Sequence, residues 1–433
     1  MKKVWIILLI LFTIVFKTNC LDSFNRVHSG FQYDSEDLAI GALAASHFQI
    51  EKEWPGLGRL VYREKASKNL VSEEIYKENQ FDETTMKYVP YGSQIGFQGK
   101  VYAAISSMGY LKYLPSVFRW LNSFFLAAVL LAIIYLLKIK YSTLLAVIWG
   151  WTFLFSPWIV NFAPNLYWVE FTWFIPMLIG LVSVVDEIQF RYKLSVLSIL
   201  SLLCIGIKAA CGYEYISTIM ISMIMFPAVD TLHALFTHQK KAFYDNLKKV
   251  VALSFSGLVG FLGALLVHAY CRGAGNILIG IQDIYHRDIL RRTMLGTSAN
   301  FTSENKALMN SVNASVSSVV KRYLDFYSNA FHSNIILGVD GRYFKFICFF
   351  TIGLEVVRNW NGKLSNIFRN KDALLCIISF FASISWFILA KSHSYIHVHM
   401  NYVLWYFGFV QMCLYIITKN LLFYAKKYLG TRT

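Results

Sequence analysis

A chain of 433 residues with 56% hydrophobic and only 15% charged residues carries more apolar surface than one water-soluble core can hide, and its mean hydropathy is +0.47. The net charge of +16 sits in short loops between apolar runs, which suits anionic lipid headgroups and gives no reason to invoke nucleic acid as a partner. The apolar runs reach roughly 15 to 22 residues, the length of a helix that crosses a bilayer. In chain order they predict about ten spans: Val4–Phe16, Trp120–Leu137, Leu144–Val160, Leu166–Val185, Leu194–Ile207, Tyr215–Val229, Val250–Ala269, Phe344–Val357, Ala373–Ala390 and Val403–Ala425. The expected fold is therefore all-α, a single polytopic membrane domain over residues 1–433.

The first run follows Met1-Lys2-Lys3 and reads as an uncleaved anchor, with a cleaved signal peptide as the other reading. Basic residues mark one side of the membrane: Lys2 and Lys3, Lys138 and Lys140, Arg191 and Lys193, Lys240 and Lys241, Lys248 and Lys249, Arg358, Lys363, Arg369 and Lys371, then Lys426 and Lys427. The alternate short loops are nearly free of Lys and Arg, so both termini are expected in the cytoplasm. Seven cysteines show no CxxC spacing and no disulfide framework. Two large exterior loops remain, over about residues 18–114 and 270–342.

The first exterior loop opens on Tyr33-Asp34-Ser35-Glu36-Asp37, with three carboxylates in four residues ahead of the helix-favouring stretch Leu38–Phe48. Carboxylates this close do not all ionise freely, so one can be tuned as a base near neutral pH; the plainer reading is an acidic turn capping a helix. Further on, Gly96-Phe97-Gln98-Gly99 leads into Val101–Tyr110, an apolar and aromatic helix too short to span. Two short helices of this kind suit the interface plane of a bilayer.

Glu170 lies about one turn inside an apolar span, where an unpaired carboxylate costs on the order of 2 to 3 kcal/mol. Glu214 repeats the arrangement at the start of the sixth span, and Lys208 lies six residues before it. A structural pair of Lys208 with Glu214 or Glu170 and a binding role are equally open. The second exterior loop holds Asp283-Ile284-Tyr285-His286-Arg287-Asp288-Ile289-Leu290-Arg291-Arg292, whose arginines suit phosphate oxygens or local ion pairs on a solvated face. The last exterior turn carries Lys391, His393, His397 and His399. The histidines suit hydrogen bonds to phosphate or sugar hydroxyls better than zinc, because the spacing specifies no third strong ligand.

Every one of these clusters falls on the exterior side. The chain resembles the glycosyltransferase-C superfamily of membrane enzymes that use polyprenyl-phosphate sugars. The resemblance rests on Glu36-Asp37 ahead of the helix Leu38–Phe48 and on Gly96-Phe97-Gln98-Gly99 ahead of Val101–Tyr110, after a first span and before a second. It covers the first 140 residues best, and the C-terminal half is expected to end in membrane, without the large soluble exterior domain that many members of that superfamily carry.

The resemblance implies inverting transfer of a sugar to a cell-envelope glycan or lipid acceptor, in a bacterial inner membrane as the simplest setting. It assigns Asp37 or Glu36 as base, with Asp34 as a third candidate, and Lys208, Arg291, Arg292 and Lys391 as contacts to the donor phosphate. No cofactor is required, since the lipid phosphate is itself a good leaving group, although a divalent metal would be compatible. Competing readings are a lipid-linked glycan polymerase or ligase, a transporter or flippase, and an acyltransferase using His397 or His399 as base. A transporter would place charges near the bilayer midplane and break helices in pairs.

Overall fold

The computed structural model describes residues 2–21, 32–50, 56–63, 71–301, 306–325, 341–358 and 364–429, and these are mostly helical. The remaining parts of both exterior loops lie outside the described residues. Helix α1 (Lys2–Thr18) is followed by a small layer: α2 (Tyr33–His47), β1 (Gly58–Tyr62), α3 (Ser72–Glu78), β2 (Met86–Pro90) and α4 (Phe97–Ser106). The bundle then continues through α5 (Leu114–Lys140), α6 (Thr143–Phe155), α7 (Pro157–Phe162), α8 (Phe171–Val184), α9 (Lys193–Cys211), α10 (Ile216–Phe236) and α11 (Lys240–Arg272). A second layer holds α12 (Ile277–Ile284), α13 (Leu290–Arg292), α14 (Lys306–Asn313) and α15 (Val316–Asp325). After α16 (Gly341–Arg358) and α17 (Lys371–Leu389) come the short α18 (Lys391–Ile396) and α19 (Val398–Asn401), and then α20 (Phe409–Leu429).

Five helices are long and apolar enough to cross a membrane: α5, α9, α10, α11 and α17. The stretches Val398–Tyr406 and Phe409–Lys427, bent by 49°, add a sixth if they count as one span. This is an all-α membrane protein. Each of the ten expected segments contains helix, but the remaining four fall short of the spanning criterion. The expected span Leu144–Val160 is interrupted at Ser156-Pro157, where the Ser156 hydroxyl accepts from the Ile159 amide at 3.2 Å and Pro157 opens a new helix. Helices α6 and α8, of 13 and 14 residues, are too short, and α1 has 17. Helix α16 carries Arg342, Lys345, Glu355 and Arg358 within its 18 residues.

The outward face of α11 is a stripe of Val251, Phe255, Leu258, Leu262 and Leu266 at helical spacing, as a lipid-facing helix requires. Its inward face meets α9 closely. A Cβ at Gly260 would sit 2.1 Å from the Leu202 carbonyl oxygen, so only glycine allows this approach.

The first exterior segment is more ordered than a polar loop. Strands β1 and β2 pair antiparallel from Gly58 opposite Pro90 to Tyr62 opposite Met86, and α3 packs on α2 and β1. The acidic cluster is not a turn ahead of a helix; it forms the first turns of α2 itself, favoured there by the helix dipole. Helix α2 is buried on all sides from Glu36 to Ala45, so it is a core element and does not lie flat on an interface. A Cβ at Gly41 would stand 2.3 Å from the Gly58 carbonyl oxygen, which lets β1 press directly onto α2. By contrast α4 leaves Phe97, Val101 and Ile105 exposed.

Candidate functional site

The three carboxylates of α2 divide by direction. Glu36 is buried and grips Arg119 of α5 with both oxygens, Oε1 accepting from Nε at 3.0 Å and Oε2 from Nη2 at 2.9 Å. Arg119 also donates to both oxygens of Glu73, at 3.0 and 2.7 Å, and Glu36 Oε1 accepts from the Leu166 amide at 3.1 Å. Burial pushes the Glu73 carboxyl up, but the Arg119 hydrogen bonds and charge outweigh it and hold the group at about 2. Glu36 thus fastens α2, α3, α5 and the loop before α8 together.

Asp37 is 2% exposed, and its Oδ1 accepts from the Ser72 amide at 3.1 Å. The Ser72 hydroxyl in turn accepts from the Leu60 amide at 3.0 Å, so Asp37 orders the start of α3 against β1. Asp37 Oδ2 is buried without a partner, and burial raises this carboxyl to about 6 against the opposing hydrogen bonds from Ser72 and charge of Arg59. Asp34 is exposed. Its charge reaches His397 and His399, across the sequence from the last exterior turn.

The imidazoles lie in a row, with ring centroids 4.6 Å apart between His393 and His397 and 6.0 Å between His397 and His399. Burial, His399 and the nearby Arg292 lower His397 to about 4, while Asp34 pulls the other way. His393 is held well below the ordinary range, by burial first and then by His397 and Arg292. Both rings are therefore neutral at physiological pH and offer one donor and one acceptor each. Among the described residues no three His, Cys, Asp or Glu side chains converge as a metal site.

The arginines come from α13, which follows a π-helical turn at Tyr285–Ile289. Arg292 pairs with Asp288 at 3.3 Å and feels the charges of Tyr91, Glu214 and Tyr167; these overcome the cost of its burial and raise its pKa. Arg291 is exposed and forms no ion pair among the described residues, yet its charge also reaches His393 and His397. Arg272, at the end of α11, fixes this segment by donating to Asp283 and Asp288, each at 2.5 Å, and to the Gly92 carbonyl at 3.1 Å.

The structure thus brings together Asp34, Glu214, Arg291, Arg292, His393, His397 and His399. Other predicted residues are occupied elsewhere. Lys208 is buried and donates to the Gly212 carbonyl at 2.6 Å, and it forms no ion pair with Glu214 or Glu170. Lys391 donates to the Val312 carbonyl at 2.7 Å. Arg287 points out and pairs with Asp283 at 2.7 Å. Glu170 is fully buried with neither carboxylate oxygen hydrogen-bonded.

Sequence reasoning missed Arg119, Glu73, Arg272, Tyr91 and Tyr167. It also missed Gln94 and Gln98, which donate to the Cys211 carbonyl at 2.8 and 2.9 Å and tie the first layer to the end of α9. For Arg119 a signal existed: a lone cation in the first turns of an otherwise apolar span, close to a conspicuous acidic pair in the preceding loop.

No family model, curated protein or solved structure matches this chain.

Proposed function

We propose that this protein transfers a sugar from a polyprenyl-phosphate donor to a hydroxyl of a glycan or lipid acceptor, with Asp34 as the general base. The observation that carries this reading is the position of Asp34, an exposed carboxylate opposite neutral imidazoles and two arginines at one end of a membrane bundle. Asp34 takes the proton of the acceptor hydroxyl as its oxygen attacks the anomeric carbon. The bond from that carbon to the phosphate oxygen breaks, and the electron pair leaves with the lipid phosphate. Arg291 and Arg292 offset the charge on that phosphate, and His397 can donate a hydrogen bond to it. One base and no covalent nucleophile give inversion. Glu36 and Asp37, which the resemblance would favour as bases, are committed to holding α2 in place. A bacterial inner membrane with this face outward, and a surface polymer or lipopolysaccharide as acceptor, is the setting this chemistry suits.

The test uses purified protein in lipid with radiolabelled polyprenyl-phosphate sugars and a crude envelope-lipid acceptor. Asp34→Asn should lower transfer by about 100-fold or more while leaving the protein folded. Arg292→Ala should raise the donor KM more than it lowers kcat. Wild-type transfer by Asp34→Asn would end the assignment of the base, and transfer lost only in Glu36→Gln or Asp37→Asn would move it to that residue.

A further inference from the structure

Between the second exterior layer and the last exterior turn lies a cavity that the transfer chemistry does not use. Its volume is about 300 Å³, and Asn310, Asn313, Ala314, Ser318, Arg322 and Tyr395 line it. Two helices wall it because each is divided lengthwise. Helix α14 buries Ser311 and Val312 and presents Asn310 and Asn313, neighbours at helical spacing, to the cavity. Helix α15 buries Val319 and Tyr323 and presents Ser318 and Arg322 to the same space. Tyr395 of α18 completes the lining: the Arg322 guanidinium lies 3.9 Å from the centre of its ring and donates to its carbonyl at 2.6 Å. Both walls are fastened to α18, Tyr323 donating to the Ser394 carbonyl at 2.9 Å and Lys391 to the Val312 carbonyl at 2.7 Å. Asn310, Asn313 and Arg322 are exposed, so the cavity opens to solvent.

We propose that this cavity binds one sugar residue of the glycan acceptor. The inference rests on the transfer reading above. Side chains two apart on a helix point to opposite faces, so α18 turns Tyr395 to the cavity and His393 to the imidazole row. The lining selects the chemistry. Each carboxamide both donates and accepts, the guanidinium only donates, and the Ser318 hydroxyl, which donates to the Ser315 carbonyl at 2.8 Å, keeps its lone pairs. A metal cation would face the Arg322 charge with no carboxylate in the lining to hold it. A phosphate would find a single cation, one of whose N–H groups is committed to the Tyr395 carbonyl. A hydrocarbon would leave every polar group of the lining unpaired. A ring of neutral hydroxyls pairs with the carboxamides of one wall and with the guanidinium and hydroxyl of the other. The volume stands at the lower end of small-molecule sites, about 300–1,000 Å³, which suits one ring with the rest of the glycan continuing outward.

The test measures binding to the purified full chain in nanodiscs by saturation-transfer NMR. The probes are the methyl glycosides of glucose, galactose, mannose and N-acetylglucosamine, with inorganic phosphate as competitor. Wild type should bind at least one glycoside, and phosphate should not displace it. Asn310→Ala combined with Asn313→Ala, both at exposed positions, should weaken that binding by about tenfold, the loss of two hydrogen-bonding groups. Ser318→Phe, which fills the space with a ring, should abolish it. Asp34→Asn and Arg292→Ala should bind the glycoside as wild type does. In the transfer assay the double asparagine variant should raise the acceptor KM severalfold and leave the donor KM and kcat unchanged. No glycoside bound by wild type, binding unaltered in the double variant and in Ser318→Phe, or displacement by phosphate would each overturn the proposal. Glycoside binding that depends on the cavity residues, together with wild-type transfer by Asp34→Asn, would uphold the sugar site and remove only the base assigned above.

Discussion

The two ends of the bundle treat charge in opposite ways. At the lysine end, Asp230 is held between Lys371 at 2.6 Å and Lys140 at 3.5 Å, and Asp372 pairs with Lys419 at 2.5 Å. Lys193 there donates to the Val185 and Ile188 carbonyls, both at 2.7 Å. At the other end, Asp34, Glu214 and Arg291 form no ion pairs among the described residues, Arg292 has one at 3.3 Å, and Glu170 is buried with nothing bonded. Stability alone would pair these groups as the lysine end does. A fold that leaves opposite charges near each other yet unjoined keeps them available for something that binds. The site end does hold fully paired charges as well, in Arg119 with Glu36 and Glu73, and these are the ones that join its elements together.

That division can be broken by mutation, and the largest effect is expected at Arg119. Arg119→Ala would leave Glu36 and Glu73 without their counter-charge, a loss on the order of 3–5 kcal/mol. Little folded protein should elute on size exclusion. Adding Glu36→Gln and Glu73→Gln to the same chain should recover much of it; failure of the triple variant to recover would mean that Arg119 acts by packing instead of charge.

Asp37 tests the same division with the opposite sign. Its folded pKa of about 6 exceeds the ordinary 3.8, so the folded state holds the proton more tightly than the unfolded state. The penalty for ionising it is absent below pH 3.8, grows as pH rises through 6 and is complete above, where it amounts to about 3 kcal/mol. Asp37→Asn keeps an acceptor for the Ser72 amide and never ionises. Its melting temperature should exceed wild type at pH 8, and the gain should shrink toward zero near pH 4. An equal shift at both pH values would refute the sign.

Much of the fold was legible because lipid leaves so few solutions for backbone polar groups. Apolar runs located every segment that became a bundle helix, and the alternation of basic loops placed the polar clusters at one end. The count of spans was less legible, since hydropathy does not weigh a break such as Ser156-Pro157 inside an apolar run. Residue type marked Asp34, Arg292 and the histidines as candidates. It did not separate Asp34 from Glu36 and Asp37, because the difference lies in which way successive residues of α2 point. Glu36 and Asp37 turn toward Arg119 and Ser72, from sequence positions 83 and 35 residues away, and no local pattern reports such partners. The Gly212 and Val312 carbonyls that Lys208 and Lys391 bond are likewise invisible to residue type.

The smallest effect, and the one that separates the two ends most cleanly, belongs to Asp230. Lys140 and Lys371 keep part of their surface in water, so losing the carboxylate frees two ammonium groups that solvent can still reach. The change Asp230→Asn should therefore cost about 1 kcal/mol, near the upper range for partly exposed pairs. The melting temperature should fall by a few degrees at low ionic strength and by less in high salt, which already screens the pairs. Sugar transfer at a temperature where both proteins stay folded should match wild type. Asp34→Asn should show the reverse: an unchanged melting curve with transfer lost. If Asp230→Asn lost transfer as severely as Asp34→Asn while remaining folded, the paired and unpaired ends would not be doing separate jobs, and the distinction between them would fail.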